Sequence, residues 1–467
     1  MIPRISGGSD PAGQARKLAR KGDWRTLWWQ ILSSPLPQAA VAAAHLKLRK
    51  WTPPSDADAR LAAVLTAIDT KEAARLGTDL FRRTTVTLPT TMGFANPAGF
   101  CVRHPVLALD TRGRDPHTSR VVTVDRTGVR NTLYEGPAQH WSLCALDGET
   151  VIARREFDSG GYRGDTEIVE YTPGREAVLA SGGGLLDAVV EPTATGWVVG
   201  TKLLGVAFAV ADGEQEQLDL RDYGLRRADL FAVDATGTRI AFAEGSRLLV
   251  TDSRLQPLYD LVMESVRHGE FNAITFTGDS IVTAGWEKGL YRWQIIGGRI
   301  RGLYSGWDST PRTIFRLNPV ASWDLLVAEG GNVNYHYDMS TLERTGSPEF
   351  LVPTGPDNKD DDLRGSRAIG KFVSAPYGRL AVYEGGLAIP TRGSDAFYST
   401  VVQDLEHPLN ILVKPVLSLN PADADRVRPH LDPSLGTAAT YPLTATERAV
   451  LEAAMAACEW APQVTGR

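Results

Sequence analysis

Long apolar runs are missing from this 467-residue chain. Nowhere do about eighteen apolar residues follow one another, the length a membrane-spanning helix needs, and no signal-peptide-length apolar stretch follows Arg4 between Met1 and Gln14. These absences point to a cytoplasmic protein with no membrane partner. Cysteine is scarce as well: Cys101, Cys144 and Cys458 lie far apart, in mainly apolar settings and outside any CxxC pair, so they read as structural thiols. The eight histidines never fall in an HExxH or HxH spacing, and no metal or cofactor is expected. A Gly-x-x-x-x-Gly-Lys-Ser/Thr loop, a Gly-x-Gly-x-x-Gly turn after a strand and a Gly-x-Ser-x-Gly elbow are all lacking. Nucleotide chemistry of those kinds and the elbow hydrolases are therefore disfavoured.

Hydrophobic residues make up 43% and charged residues 22%, which suits a folded protein and excludes wholesale disorder or a coiled-coil rod. The formal charge of −5 is uneven: residues 1–83 carry 14 Lys+Arg against 7 Asp+Glu, and the rest carries 36 against 48. A basic end on an acidic body could steer anionic partners or serve packing; no nucleic-acid partner is expected.

The chain is too long for one ordinary core unless a repeat lets a single body grow. Tight-turn signals fall near Arg103-His104-Pro105, Asp147-Gly148, Thr195-Gly196, Thr236-Gly237, Gly278-Asp279, Pro319-Val320 and Tyr377-Gly378. Measured from positions 104, 147, 195, 236, 278, 320 and 377, the steps are 43, 48, 41, 42, 42 and 57 residues. The long last step contains the polar stretch Thr354 to Gly365, read as an insertion between blades. A small or acidic residue then glycine ends the second strand at Glu244-Gly245, Ala284-Gly285, Glu329-Gly330 and Glu384-Gly385. Outer strands of related pattern follow at Thr132 to Gly136, Gln217 to Leu220, Pro257 to Leu261 and Gly302 to Gly306.

A four-stranded sheet of roughly 42 residues cannot bury both faces alone, whereas a radial ring of such sheets can. The pattern predicts a mainly β chain with a seven-bladed β-propeller over 84–420, an N-terminal α-helical bundle over 1–83 and a short C-terminal helix in the tail 421–467. Asn410 to Val416 reads as the last blade strand, and Thr85-Val-Thr-Leu88 as a strand suited to closing the ring.

The clearest unit runs from Asn272 to Ile295 and includes Gly278-Asp279, Ala284-Gly285 and Gly289-Leu-Tyr-Arg-Trp293, with Gly297-Gly298 suiting a two-residue hairpin. There the chain resembles the WD-repeat propellers, although Trp293-Gln294 stands where Trp-Asp is usual and the Gly-His opening is absent. The resemblance covers residues 98–416 in spacing. It implies that connections between second and third strands, and between blades, gather on one face around the channel. That would assemble Arg112, Arg114 and His117, Tyr162 and Arg163, Tyr223, Arg226 and Arg227, Trp286 and Lys288, and Trp307 and Asp308. Aromatic and Arg side chains dominate protein interfaces, so Tyr162, Arg163, Tyr223, Arg226, Arg227, Trp286, Lys288 and Trp307 are the candidate partner-binding set.

At the N-terminus, Asp23 suits an N-cap for Trp24 to Leu32, with Trp24, Leu27, Trp28 and Ile31 on one face, and Pro35 and Pro37 suit its end. Helices near 38–48, 56–68 and 70–82 follow, the last two capped by Ser55 and Asp69. Thr444-Ala-Thr-Glu447 is a capping box ahead of the apolar run to Ala457. The opening Gly22 to Trp29 ahead of a divergent propeller looks like the propeller members of bacterial three-component systems. Those accompany a MoxR-type AAA+ ATPase and a von Willebrand factor A protein, and the resemblance implies an adaptor. Forty Arg against ten Lys suits a GC-rich bacterial genome.

Other local patterns read as structure. His336 alternates away from Tyr335 and Tyr337, Asp360-Asp361-Asp362 lacks Ca²⁺-loop spacing, and Gly160-Gly161 and Gly182-Gly183-Gly184 precede strand-like sequence. The function expected is a non-enzymatic scaffold or adaptor; the alternative is a hydrolase or lyase with its site at the channel mouth.

Overall fold

The computed structural model describes residues 11–47, 51–88, 98–112, 118–158, 163–262, 271–285, 290–296, 299–305, 314–330, 333–343, 371–389, 397–432, 434 and 441–464. The chain divides into two compact units: Thr85–Leu405, and a second made from both chain ends, Met1–Thr84 with Glu406–Arg467.

The first unit is a seven-bladed β-propeller. Blade 1 is a meander of Gly99–Phe100, Val106–Arg112, Ser119–Asp125 and Gly128–Gly136, and blades 2 to 5 repeat it from Gln139, Val189, Phe231 and Phe271. Blade 6 shows three strands, Arg316–Val320, Leu325–Gly330 and Val333–Asp338, among the described residues. Blade 7 combines Lys371–Val373, Leu380–Ile389 and Phe397–Asp404 with Thr85–Leu88 as its outermost strand. The expected closure is thus formed, antiparallel, with Val86 opposite Val402. It ties the first strand of the ring to the last blade and removes the seam an open ring would leave.

Apolar clusters lie between neighbouring blades. Val106, Val121, Leu143 and Val151 pack between blades 1 and 2, Ile152, Ile168, Val190 and Val199 between 2 and 3, and Phe242, Leu248, Phe276 and Trp293 in the region of 3 to 5. Alternating residues of each strand serve the two neighbours in turn, as a pleated sheet buried on both faces requires. The fourth strands carry the exposed positions, as in Arg175–Ser181.

Three strand-level expectations change. Asn410 to Val416 is not a blade strand but two 3-10 turns, Pro408–Val413 and Val416–Ser418, in the helical unit. The His407 ring nitrogen Nδ1 accepts from Leu409 N at 3.2 Å, and Pro408 at the first position favours the helical turn. A short buried apolar run fits either state by pattern alone. Glu384-Gly385 does not end a strand; it sits where the register between Leu380–Ile389 and Phe397–Asp404 shifts. Pro319 and Val320 belong to the strand, and the turn is Ala321–Trp323 with Asp324 at φ 52°. The stretch Thr354 to Gly365 and the pairs Gly160-Gly161 and Gly297-Gly298 lie outside the described residues.

The helical unit holds α1 (Pro11–Lys21), α2 (Trp24–Leu32), α3 (Leu36–Lys47), α4 (Asp56–Ala67), α5 (Thr70–Thr84), α6 (Pro421–Leu431) and α7 (Ala445–Trp460). Asp23 accepts from Thr26 N, Ser55 caps α4, Asp69 accepts from Lys71 N and Glu72 N, and Thr444 with Glu447 forms the capping box of α7. Pro37 falls inside the first turn of α3, where its missing N–H costs nothing. Leu27, Trp28 and Ile31 are buried, and the Trp28 indole N–H donates to buried Asp58 at 2.7 Å. Lys414 and Asp423, both buried, form an ion pair at 2.9 Å.

Candidate functional site

The innermost strands are the first of each blade, and they set what the channel sees. Two of them carry bulges, at Trp141 in blade 2 and Asn272 in blade 5. A bulge frees one residue from the alternation between side faces. His140 turns to blade 1 and Ser142 to blade 3, where Ser142 Oγ accepts from Val190 N at 2.9 Å. Trp141 between them stays 45% exposed.

Glu191, at the level below that bond, is the only acid on any of the seven innermost strands as described. The Tyr377 hydroxyl, from the first turn of blade 7, donates to its carboxylate. Blades 3 and 7 are not neighbours, so this bond spans the ring centre. Glu191 forms no ion pair among the described residues. Burial pushes its pKa up to about 7, against the lowering effects of the Tyr377 hydroxyl and, from further away, Arg316. The side chain is deep within the ring yet half-buried, because channel space reaches it. Depth, rather than a sealed cavity, strips its solvation. Burial also raises the thiol pKa of nearby Cys144 and Cys101.

Below Glu191 the first turns of blades 1, 3 and 4 draw together. Arg103 Nε donates to Ala194 O at 2.8 Å, and Ala194 N donates to Gly237 O at 2.8 Å. Gly237 sits at φ +72°, and a Cβ there would lie 2.6 Å from Ala194 N, so only glycine allows the approach. Asp234 shapes that turn by accepting from Thr238 N and Arg239 N. The channel therefore narrows toward the turn face.

A second polar cluster joins blades 1 and 2. His140, with no exposed surface, places Nδ1 3.1 Å from Ser119 Oγ and 3.3 Å from Asp110 Oδ2, and Nε2 3.0 Å from Tyr171 Oη. Arg155 Nη1 donates to the Tyr171 oxygen at 3.1 Å. Arg155 itself is held by Glu167 at 2.8 Å and Glu176 at 3.0 Å. A serine relay needs nucleophile and acid on opposite ring nitrogens. Here both sit on Nδ1, so the cluster is a strut.

Of the candidate partner-binding residues, Tyr223, Arg226 and Arg227 are brought together on the connection from blade 3 to blade 4. Glu244, ending the second strand of blade 4, accepts from Arg226 N and from Arg227 N. Arg227 is tied to Asp229 at 2.7 Å, whereas Arg226 is exposed. Beside them Leu203 and Leu204 are exposed, with Gly205 O accepting from Leu220 N at 3.0 Å. Arg163 opens the third strand of blade 2 and Arg112 closes the second strand of blade 1. Tyr162, Trp286, Lys288, Trp307, Arg114, His117 and Asp308 lie outside the described residues.

Reasoning from sequence passed over Trp141, Glu191 and Tyr377. Glu191 had a signal, an acid on a first strand where the other blades place none. Tyr377 was visible only as part of a turn.

No protein-family model matches the chain. A search of curated proteins finds no match either.

Proposed function

We propose that this propeller is a non-enzymatic scaffold or adaptor that presents its connection face to partner proteins. The observation that carries the reading is where exposed large apolar side chains fall. Among the described residues, Trp141, Leu203, Leu204 and Phe315 are on the connection face or at its inner rim, and Val129, Val178, Leu179, Leu258 and Val262 are on outer strands. None stands in the first turns of the opposite face. Exposed apolar groups beside Tyr223 and a free-standing Arg226 have the composition of an interface core.

In this reading the chain is a divergent WD-repeat propeller working in the cytoplasm, and its partners are a MoxR-type AAA+ ATPase and a von Willebrand factor A protein. The helix content ahead of the ring and the arginine-rich composition support that setting. The test is co-purification with a MoxR-type AAA+ ATPase and a von Willebrand factor A protein. Trp141→Ala and Arg226→Glu should each reduce capture about tenfold, as interface anchors do, while Val178→Ser on an outer strand leaves it unchanged. Full capture by both face variants would sink the proposal.

A hydrolase or lyase has one observation in its favour, the Glu191 pKa of about 7 at the ring centre, which suits general acid–base work. No histidine or second acid joins Glu191 among the described residues; its partner is the Tyr377 phenol.

A further inference from the structure

The ring centre poses a problem that the scaffold reading leaves open. A carboxylate buried without a counter-charge is costly, and proteins normally pair it. Tyr377 offers a neutral hydrogen bond. Arg316, on the first strand of blade 6, acts on Glu191 through its charge alone and offsets less than burial imposes.

The Ser142–Val190 bond fixes what stands above it. Trp141 is one residue toward the connection face from Ser142, and Glu191 is one residue the other way from Val190. At about 3.3 Å per residue the two are about 7 Å apart along neighbouring inner strands. Trp141 supplies an exposed aromatic surface and Glu191 a carboxylate beneath it. The turns of blades 1, 3 and 4 converge at the other end, so the entry proposed here is from the connection face. The propeller unit carries 31 Lys+Arg against 41 Asp+Glu, a field that favours a basic visitor.

We propose that the ring centre is a socket for one cationic side chain, lysine or arginine, that a partner protein inserts past Trp141 onto Glu191. This rests on the scaffold reading for its source, but the socket is testable alone. The cation stacks against the indole and pairs with the carboxylate. Where Glu191 is protonated, its proton leaves to solvent as the cation arrives, one for one. The groups that act on Glu191 are Tyr377, Arg316 and the Cys144 thiol, and the Cys101 thiol acts on Tyr377; burial holds the phenol and both thiols neutral across the range tested.

The experiment titrates the full chain with n-butylguanidinium and n-butylammonium, with butyrate as the anionic control, at constant ionic strength. Indole N–H resonances report binding, Trp141 being assigned by Trp141→Phe. The cations should shift the Trp141 resonance and bind about tenfold tighter at pH 8 than at pH 6, the change in ionised Glu191 for a pKa of about 7. Glu191→Gln should abolish that pH dependence and weaken binding at pH 8 by more than tenfold, to below the level of wild type at pH 6. Tyr377→Phe keeps the carboxylate and should retain binding, which guards against a Glu191 variant that fails to fold. Equal affinity at pH 6 and 8, or butyrate binding as well as the cations, overturns the socket. Loss of partner capture in Arg226→Glu alongside cation binding that ignores Glu191 would leave the scaffold reading standing and reject the socket. Capture unaffected by the face variants, with the cation still bound through Glu191, would do the reverse for its source.

Discussion

At the junction of blades 1 and 2, an imidazole with no exposed surface has partners on both ring nitrogens, and the chain continues through Tyr171 to Arg155 and two glutamates. At the ring centre, Glu191 has a phenol and no ion pair among the described residues. The two sites use similar residue types, each with a tyrosine hydroxyl against a titratable group. Their difference is one of completion. Apart from Asp110 Oδ1, which is buried with no hydrogen-bond partner, the junction is closed by its own side chains, so it specifies how two blades sit together. The centre is left short of one positive charge, which is the condition under which a site costs stability and gains a use.

The sharpest break of that contrast is His140→Ala. It leaves Asp110, Ser119 and the Tyr171 hydroxyl buried without the imidazole, and should cost about 3–5 kcal/mol in urea unfolding. A loss under about 1 kcal/mol would mean that the junction does not hold the blades. Glu191→Gln should do the opposite. The folded pKa of about 7 lies above the ordinary value of 4.5, so the fold keeps a proton that the unfolded chain releases. Stability therefore falls as pH rises from about 4.5 to 7 and levels off beyond. The variant lacks that slope and should gain up to about 3 kcal/mol on wild type at pH 8, and nothing at pH 4. Parallel stability profiles from pH 4 to 8 would show that Glu191 is not desolvated.

The contrast also marks how far sequence reasoning reached. Turn signals at near-constant spacing located the blades because each turn is a local event, written by residues such as Asp234 and Gly237 within a few positions. Closure by Thr85–Leu88 was legible because an apolar strand ahead of the ring had no other partner. Asn410 to Val416 misled, since buried apolar residues beside prolines look alike in a strand and in a 3-10 turn. Tyr223, Arg226 and Arg227 could be placed together because they are adjacent in the chain. Glu191 and Tyr377 could not, being 186 residues apart and joined only once non-neighbouring blades face each other across the channel. That both chain ends contribute to one helical unit is equally non-local: Arg83 meets Glu447 at 2.6 Å across 364 positions.

The smallest effects come from removing one oxygen at each site, and they compare the two directly. Tyr171→Phe deprives His140 Nε2 and Arg155 Nη1 of a partner inside its cluster, and should cost about 2 kcal/mol. Tyr377→Phe removes one bond, to a carboxylate, and should cost about 1 kcal/mol. Its pH dependence is the more telling part. The phenol bond holds the Glu191 pKa down, so without it the pKa rises further above 7. The window in which stability falls with pH then extends upward, and the variant should go on losing stability between pH 7 and 8, where wild type has levelled off. The stability profile of Tyr377→Phe over that interval decides the matter: a falling line marks an unfilled site, and a flat one would make this tyrosine structural.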